Sequence, residues 1–175
     1  MRLAPAIVLG VALSAWGVEV RPAGALSVSS AAIDAAGRID PRYSSYGANL
    51  SPPLRWTAAT GAKVYVVTVR DPDAPSPRPF VHWLIWNLPA SPQWLAPGAA
   101  AAPPSGAAQG RNDAGTIGYF GPRPPGGVHH YHLAVFALDA RLNVAPGVGD
   151  AALEKAMRGH VLASGEIVGT FAAPR

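Results

Sequence analysis

The sequence contains no cysteine. Thiol nucleophiles and Cys-ligated zinc are therefore excluded, and stability must come from core packing even in a compartment where disulfides form. Charge is scarce too: Asp, Glu, Lys and Arg make up 14% of the 175 residues. The net charge is +4, and no run of Lys or Arg occurs. A nucleic-acid-binding stripe is not expected from so thin a scatter of positives. The G-x-S-x-G elbow of hydrolases and the H-E-x-x-H pair of metalloproteases are both missing. No heptads, no internal repeat and no second domain are evident, and nothing asks for a cofactor.

What the chain has in quantity is glycine and proline, 19 of each, beside a 49% hydrophobic content. That combination predicts short strands and many turns rather than long surface helices. The length suits one domain, and about 150 residues bury roughly two thirds of their unfolded surface on folding.

Residues 1–25 read as a secretory signal peptide. Arg2 gives a positive start, an apolar run extends from Leu3 to Val18, and Ala23-Gly24-Ala25 offers a small-x-small cleavage pattern. The run is shorter than the ~20 apolar residues of a membrane span. The expected product is a domain of residues 26–175 with no membrane span after signal removal, in the periplasm or secreted.

The centre of the chain is Arg70 to Leu88, RDPDAPSPRPFVHWLIWNL. Residues 63–70 predict a central strand, with Val64, Val66 and Thr68 on one face and Tyr65, Val67 and Val69 on the other. Residues 82–88 predict the next strand, with His82, Leu84, Trp86 and Leu88 sharing a face opposite Trp83, Ile85 and Asn87. Four prolines make the connection between them stiff. Residues 128–139 predict a third strand carrying His129, Tyr131 and Leu133 on one face. Residues 90–115 lack an apolar period and predict a long surface loop. One helix is expected after Asp150 as N-cap, with Leu153, Ala156, Met157 and Val161 as its stripe and Gly165 as its end; residues 166–171 then predict a closing strand. The sum is an all-β, antiparallel sandwich with one or two short peripheral helices, one of them near the C-terminus.

The candidates for chemistry are Asp71, Asp73, His82, His129 and Tyr131. Each has an ordinary structural reading, since Asp before Pro is a common turn residue and a histidine at a strand end is commonly a satisfied surface group. Taken together, two carboxylates, two imidazoles and a phenol can line one pocket.

The segments DPDAP, HW, GPRPP and HHY, preceded by GANLSPPLRW and followed by AMRGHVL, resemble the phosphatidylethanolamine-binding protein family, and its bacterial, Raf-kinase-inhibitor-like branch above all. The resemblance runs from about Ser44 to Phe171. It implies a β-sandwich with a small pocket for anions such as phosphate or a phospholipid head group. It also implies that Asp71 and Asp73 are the pocket aspartates, that Pro75 shapes the loop, and that His82 follows it. Gly121 would open the Gly-Pro loop, and His129 and Tyr131 would form its His-x-Tyr pair. Two residues depart from the family pattern. His130 stands where many relatives have arginine and should point away from the pocket. Arg123 stands where a small residue is usual, and would either obstruct the pocket or extend its rim.

The expected function is therefore an exported, non-catalytic binding protein for a small anionic or zwitterionic ligand. A protein–protein module, such as an inhibitor of a kinase or protease, is the alternative, although export separates the chain from an intracellular kinase. A hydrolase, or a metal enzyme using His82, His129 and Asp71, ranks third. Acidification below about pH 6.5 should favour anion binding by charging the imidazoles, with a nearby Asp raising that midpoint.

Overall fold

The structure is a computed structural model and describes residues 24–174. The signal-peptide reading of residues 1–25 lies almost wholly outside the described residues.

Two antiparallel sheets face each other. The smaller contains β1 (Val28–Ser29), β2 (Leu54–Trp56) and β5 (Trp94–Leu95), in the order β1-β2-β5. The larger is built from β3 (Val64–Asp71), β4 (Phe80–Pro89), β6 (Ala108–Gln109), β7 (Val128–Leu138) and β8 (Val161–Ala172), in the order β6-β4-β3-β7-β8. Among the described residues, a single 3-10 turn, Pro41–Tyr43, and one helix, α1 (Asp150–Met157), complete the elements.

The central strand β3 is buried along its whole length. Tyr65, Val67 and Val69 enter the core between the sheets, with Leu54, Trp56, Leu95, Leu133 and Val135. Val64 and Val66 enter a second core on the other face of the large sheet, under α1, with Leu84, Phe136, Leu153 and Met157. Both faces of β3 are thus covered by apolar layers, which is what its unbroken β-branched run requires.

Strand β4 departs from simple alternation twice. Val69 pairs with Trp83 but Arg70 with Val81, so His82 is an extra residue in β4. Tyr65 pairs with Leu88 and Val67 with Ile85, which places another extra residue around Asn87, whose φ is +58°. Each bulge reverses the faces beyond it. Trp83, Ile85 and Leu88 consequently enter the inter-sheet core, while Val81, Leu84 and Trp86 face α1. The expected grouping of His82 and Leu88 with Leu84 and Trp86 is corrected by these bulges.

The helix also differs from expectation. Its N-cap is Gly149, without a side-chain cap bond, and Asp150 is the first helical residue. The Asp150 carboxylate is instead drawn to the buried Arg70 guanidinium, 2.5 Å away, with Glu154 joining at 3.1 Å. The helix stops at Met157, because Arg158 leaves helical geometry and Gly159 takes φ +81°. Val161 therefore begins β8, five residues earlier than the expected closing strand. The stretch expected to be all surface loop, residues 90–115, contributes β5, β6 and the buried residues Leu95 and Ala99.

Candidate functional site

Alternation along β3 sends Arg70 to the helix side and Asp71 to the inter-sheet side. Alternation along the adjacent β7 puts His129 and Tyr131 on that same inter-sheet side, in line with the core residues Leu133 and Val135. Asp71 and His129 meet: Nδ1 of His129 donates to Oδ2 of Asp71 at 2.7 Å, with both side chains almost fully buried. The other Asp71 oxygen, Oδ1, accepts the amide of Asp73 at 2.8 Å. Asp71 thus holds the imidazole and the first turn of the Pro-rich loop together.

His82 joins them because of the bulge. Its ring packs edge-on against Tyr131, with centroids 5.2 Å apart, and also contacts Phe80 and Phe120, which touch each other. Its Nδ1 donates to the Phe120 carbonyl at 2.6 Å, and the Phe120 amide donates back to the His82 carbonyl at 2.9 Å. Burial holds the His82 imidazole below its ordinary value of 6.5; the Phe120 carbonyl and the Asp71 charge pull it upward and are outweighed. Asp71 thus acts on His82 in the expected direction, but desolvation of the cation is the larger effect and the net shift is downward.

These groups open on a cavity of about 490 Å³, within the range of small-ligand sites. Asp71, Pro75, Ser76, Phe80, His82, Phe120, Arg123, Pro124 and His129 are among its lining residues. Tyr131 lies beneath this wall. Its hydroxyl is buried and has no hydrogen bond of good geometry, although Asp71 and the Arg123 backbone are its polar neighbours. Burial, with the Asp71 charge next, pushes the phenol well above its ordinary range, so it stays protonated. A wider groove of about 640 Å³ runs past Asp34, Arg38 and Thr170, but there Arg38 is paired with Asp34 at 2.9 Å.

Besides Tyr131, which underlies the cavity without lining it, two of the expected pocket residues sit elsewhere. Asp73 does not line the cavity. Its Oδ2 accepts both the backbone amide (2.8 Å) and Nδ1 (2.7 Å) of His130, which tethers the loop to β7 from outside. Gly121 does not line the cavity either. It allows a close backbone approach to Tyr43 and Ser44, and its amide donates to Oδ1 of Asn49 at 2.7 Å. His130 is exposed and directed at Asp73, away from the cavity.

Sequence reasoning missed the residues that hold the walls. Asn49, at φ +52°, receives the Gly121 amide, and the Tyr46 hydroxyl donates to the Pro124 carbonyl at 3.2 Å. Asp113 binds the Arg78 guanidinium at 2.6 and 2.8 Å and the Val81 amide at 2.7 Å, fixing the far end of the Pro-rich loop. An Asn inside a Gly- and Pro-rich loop was a usable signal for a left-handed residue; nothing local marked Asp113. Among the described residues, no group of three or more His, Asp or Glu side chains is arranged to hold a metal ion.

Residues 29–172 match the family model described as phosphatidylethanolamine-binding protein. The chain belongs to the phosphatidylethanolamine-binding protein family. It is 40% identical over 149 residues to the UPF0098 protein of Methanothermobacter thermautotrophicus, covering 83% of this chain and 98% of that one. It is 40% identical over 131 residues to the UPF0098 protein YbhB of Escherichia coli, covering 71% and 83%. Among solved structures it is similar to a phosphatidylethanolamine-binding protein homologue of Chlamydia trachomatis, with TM-score 0.77, 37% identity, and coverage of 86% and 99%. Escherichia coli YbcL, described as a member of the mammalian family, gives TM-score 0.78 at 32% identity, with 86% and 100% covered. The family and its fold support a binding-type protein, and the bacterial relatives fit the bacterial branch. No helix among the described residues is long and apolar enough to cross a membrane.

Proposed function

We propose that this chain is an exported, non-catalytic binding protein whose cavity takes a small phosphate- or carboxylate-bearing ligand, such as a phospholipid head group. One observation carries the reading: Asp71, His82, His129 and Arg123 surround a single cavity in which no side chain is set up as a nucleophile. Ser76, on the wall, donates its hydroxyl to the Arg78 carbonyl rather than to an imidazole. The bare Asp71 charge would repel an anion, but it is occupied by the His129 Nδ1–H and the Asp73 amide, so its role is to orient the imidazole. Arg123, the cavity-lining residue with a permanent positive charge, supplies the attraction. Export rests on the sequence of residues 1–25.

Calorimetric titration with inorganic phosphate and phosphoethanolamine tests the site. Binding is expected, and His129→Ala should weaken it by about 1.5–3 kcal/mol, the contribution of a hydrogen bond to a charged group. The absence of binding for either anion would overturn the reading. Amino-terminal sequencing of the protein from a periplasmic or culture fraction should begin near Leu26; an intact Met1 in the soluble cytoplasmic fraction would overturn export.

A further inference from the structure

The peptide bond between Ala25 and Leu26 is at once the bond that follows the small-x-small pattern and a part of the folded sandwich. Ala25 forms a parallel bridge to Ser164 on the outer edge of β8. The Leu26 amide, one half of that peptide bond, donates to the Ser164 carbonyl at 2.9 Å. The Leu26 side chain is buried in the core between the sheets, with 6% of its surface exposed. Its carbonyl lies against Gly165: a Cβ there would come within 2.8 Å of the Leu26 carbonyl carbon and closer still to the oxygen. The next residues are tied to the other sheet. The Ser27 amide donates to Oγ1 of Thr57 at 3.0 Å, the Thr57 amide donates to the Ser27 carbonyl at 3.1 Å, and Val28 pairs with Trp56. Residues 25–28 are thus a strap that runs from the edge of the large sheet to the small one. A protease takes its substrate as an extended strand whose backbone is free to pair with the enzyme. The backbone of the strap is already paired, so it must detach, and Leu26 must leave the core with it, before the bond can be reached.

We propose that the Ala25–Leu26 bond is a processing site open only in the unfolded chain: a signal peptidase cuts it before the strap closes on β8, and a chain that folds first keeps its amino-terminal segment. The proposal rests on the export reading above and adds to it the state in which the chain must be exported and processed. In the cut, water adds across the bond, its hydroxyl going to the Ala25 carbonyl carbon and its proton to the Leu26 nitrogen. The new terminal amine, with an ordinary pKa of about 8, takes a further proton from solvent at neutral pH. It can still donate to the Ser164 carbonyl once the chain folds, and a charged donor makes a stronger bond there than the amide it replaces. Processing therefore leaves the strap anchored, whereas folding hides the bond that processing needs.

The test uses the full-length chain, a purified signal peptidase and amino-terminal sequencing of the product. Folded precursor is compared with precursor diluted from urea into the same reaction. The diluted chain should yield a product beginning at Leu26. The folded chain should be cut at least about 100-fold more slowly, because opening the strap exposes a buried leucine and breaks its hydrogen bonds. Gly165→Ala should speed cutting of the folded chain by at least about tenfold, since its Cβ displaces the Leu26 backbone while the sequence around the cut is unchanged. Thr57→Val, at an exposed position that leaves the core intact, removes the acceptor of the Ser27 amide and should speed cutting about threefold or more. Gly126→Ala, whose Cβ meets nothing within 4 Å, should leave the folded chain as resistant as wild type. Cutting of folded wild type as fast as the diluted chain, or a Thr57→Val chain as resistant as wild type, would overturn the inference and leave export standing. A product that begins elsewhere, or no cutting of the diluted chain and of either loosened variant, would sink the cleavage-site reading of residues 1–25 and the inference with it.

Discussion

Replacing Gly121 by Ala puts the greatest stress on the loop that builds the cavity. An added Cβ would lie 2.6 Å from the Tyr43 carbonyl oxygen and 2.7 Å from both the Ser44 carbonyl carbon and the Ser45 nitrogen. All three are backbone atoms, so no side chain can rotate out of the way and the two loops must separate. Separation strains the Gly121–Asn49 bond at 2.7 Å, the Ser45–Pro122 bond at 3.1 Å and the Tyr119–Tyr43 bond at 2.7 Å. Overpacking costs about 1–3 kcal/mol, and each hydrogen bond lost adds roughly 1, so a total of about 2–5 kcal/mol is expected with one or two bonds broken. Gly126 is the control in the same segment. Its Cβ would meet nothing within 4 Å and its φ is not in the left-handed region, so Gly126→Ala should stay within about 0.5 kcal/mol of wild type. In urea, with a slope of about 2 kcal/mol per molar, Gly121→Ala should unfold about 1–2.5 M earlier. Equal midpoints for the two variants would refute the account of Gly121 as a close-approach residue.

Three further outcomes follow from the buried and tethered groups. Asp71→Ala leaves the His129 Nδ1–H and the Asp73 amide without an acceptor in a buried place, and should cost about 3–5 kcal/mol by denaturant titration, with Asp71→Asn recovering part of it. A loss under about 1 kcal/mol would show that the pair is a surface-like contact. Asp73, held below the usual carboxylate range first by the His130 side chain and then by its amide, should contribute stability above about pH 4 and lose it as pH falls through its depressed value. Because the pair is half-exposed, Asp73→Asn should cost no more than about 0.5 kcal/mol at neutral pH and nothing in strong acid; a constant difference at all pH values would contradict this. For His82, nitrogen NMR should show the Nδ1–H tautomer at neutral pH and a midpoint below 6.5. Its contribution to stability is full above the unfolded value of about 6.5 and declines as pH falls toward the folded midpoint, because the unfolded chain takes up the proton first. A midpoint above 6.5 would mean that Asp71, not burial, governs this ring.

The legible part of the fold was the part governed by period. β3 and β7 could be placed from alternation alone, because β3 is a largely β-branched run buried on both faces and β7 alternates into the apolar stretch Leu133–Leu138, and the same alternation puts Asp71, His129 and Tyr131 on one face of neighbouring strands. What stayed hidden depended on single residues changing the count. Nothing in HWLIWNL says that His82 is an extra residue or that Asn87 is left-handed, since a bulge is selected by what it packs against. The helix start was misplaced for a related reason: Asp150 suits an N-cap, but Arg70, 80 positions away in sequence, captures its carboxylate. Asp73 looked like a pocket residue because it stands beside Asp71 in DPDAP. Only the fold shows that the turn between them points one carboxylate into the sandwich and the other out to His130.

The bulge at His82 is also where fold and chemistry meet. With regular pairing, His82 would continue the face of Leu84 and Trp86 and lie under α1, on the opposite side of the sheet from His129. One added residue turns the ring to the inter-sheet side, and the exchange of two hydrogen bonds with Phe120 satisfies the backbone that the bulge leaves unpaired. The same Phe120 carbonyl fixes the tautomer. Hence the irregularity that places the imidazole in the cavity also determines which nitrogen it offers there. Its neighbours are held as firmly: Asp73 and Asp113 anchor the two ends of the Pro-rich loop, and Asn49 and Tyr46 anchor the Gly-Pro loop. With both walls tied to the sandwich, the cavity is formed before a ligand arrives, and the ordering of side chains that weakens binding in flexible sites is largely avoided.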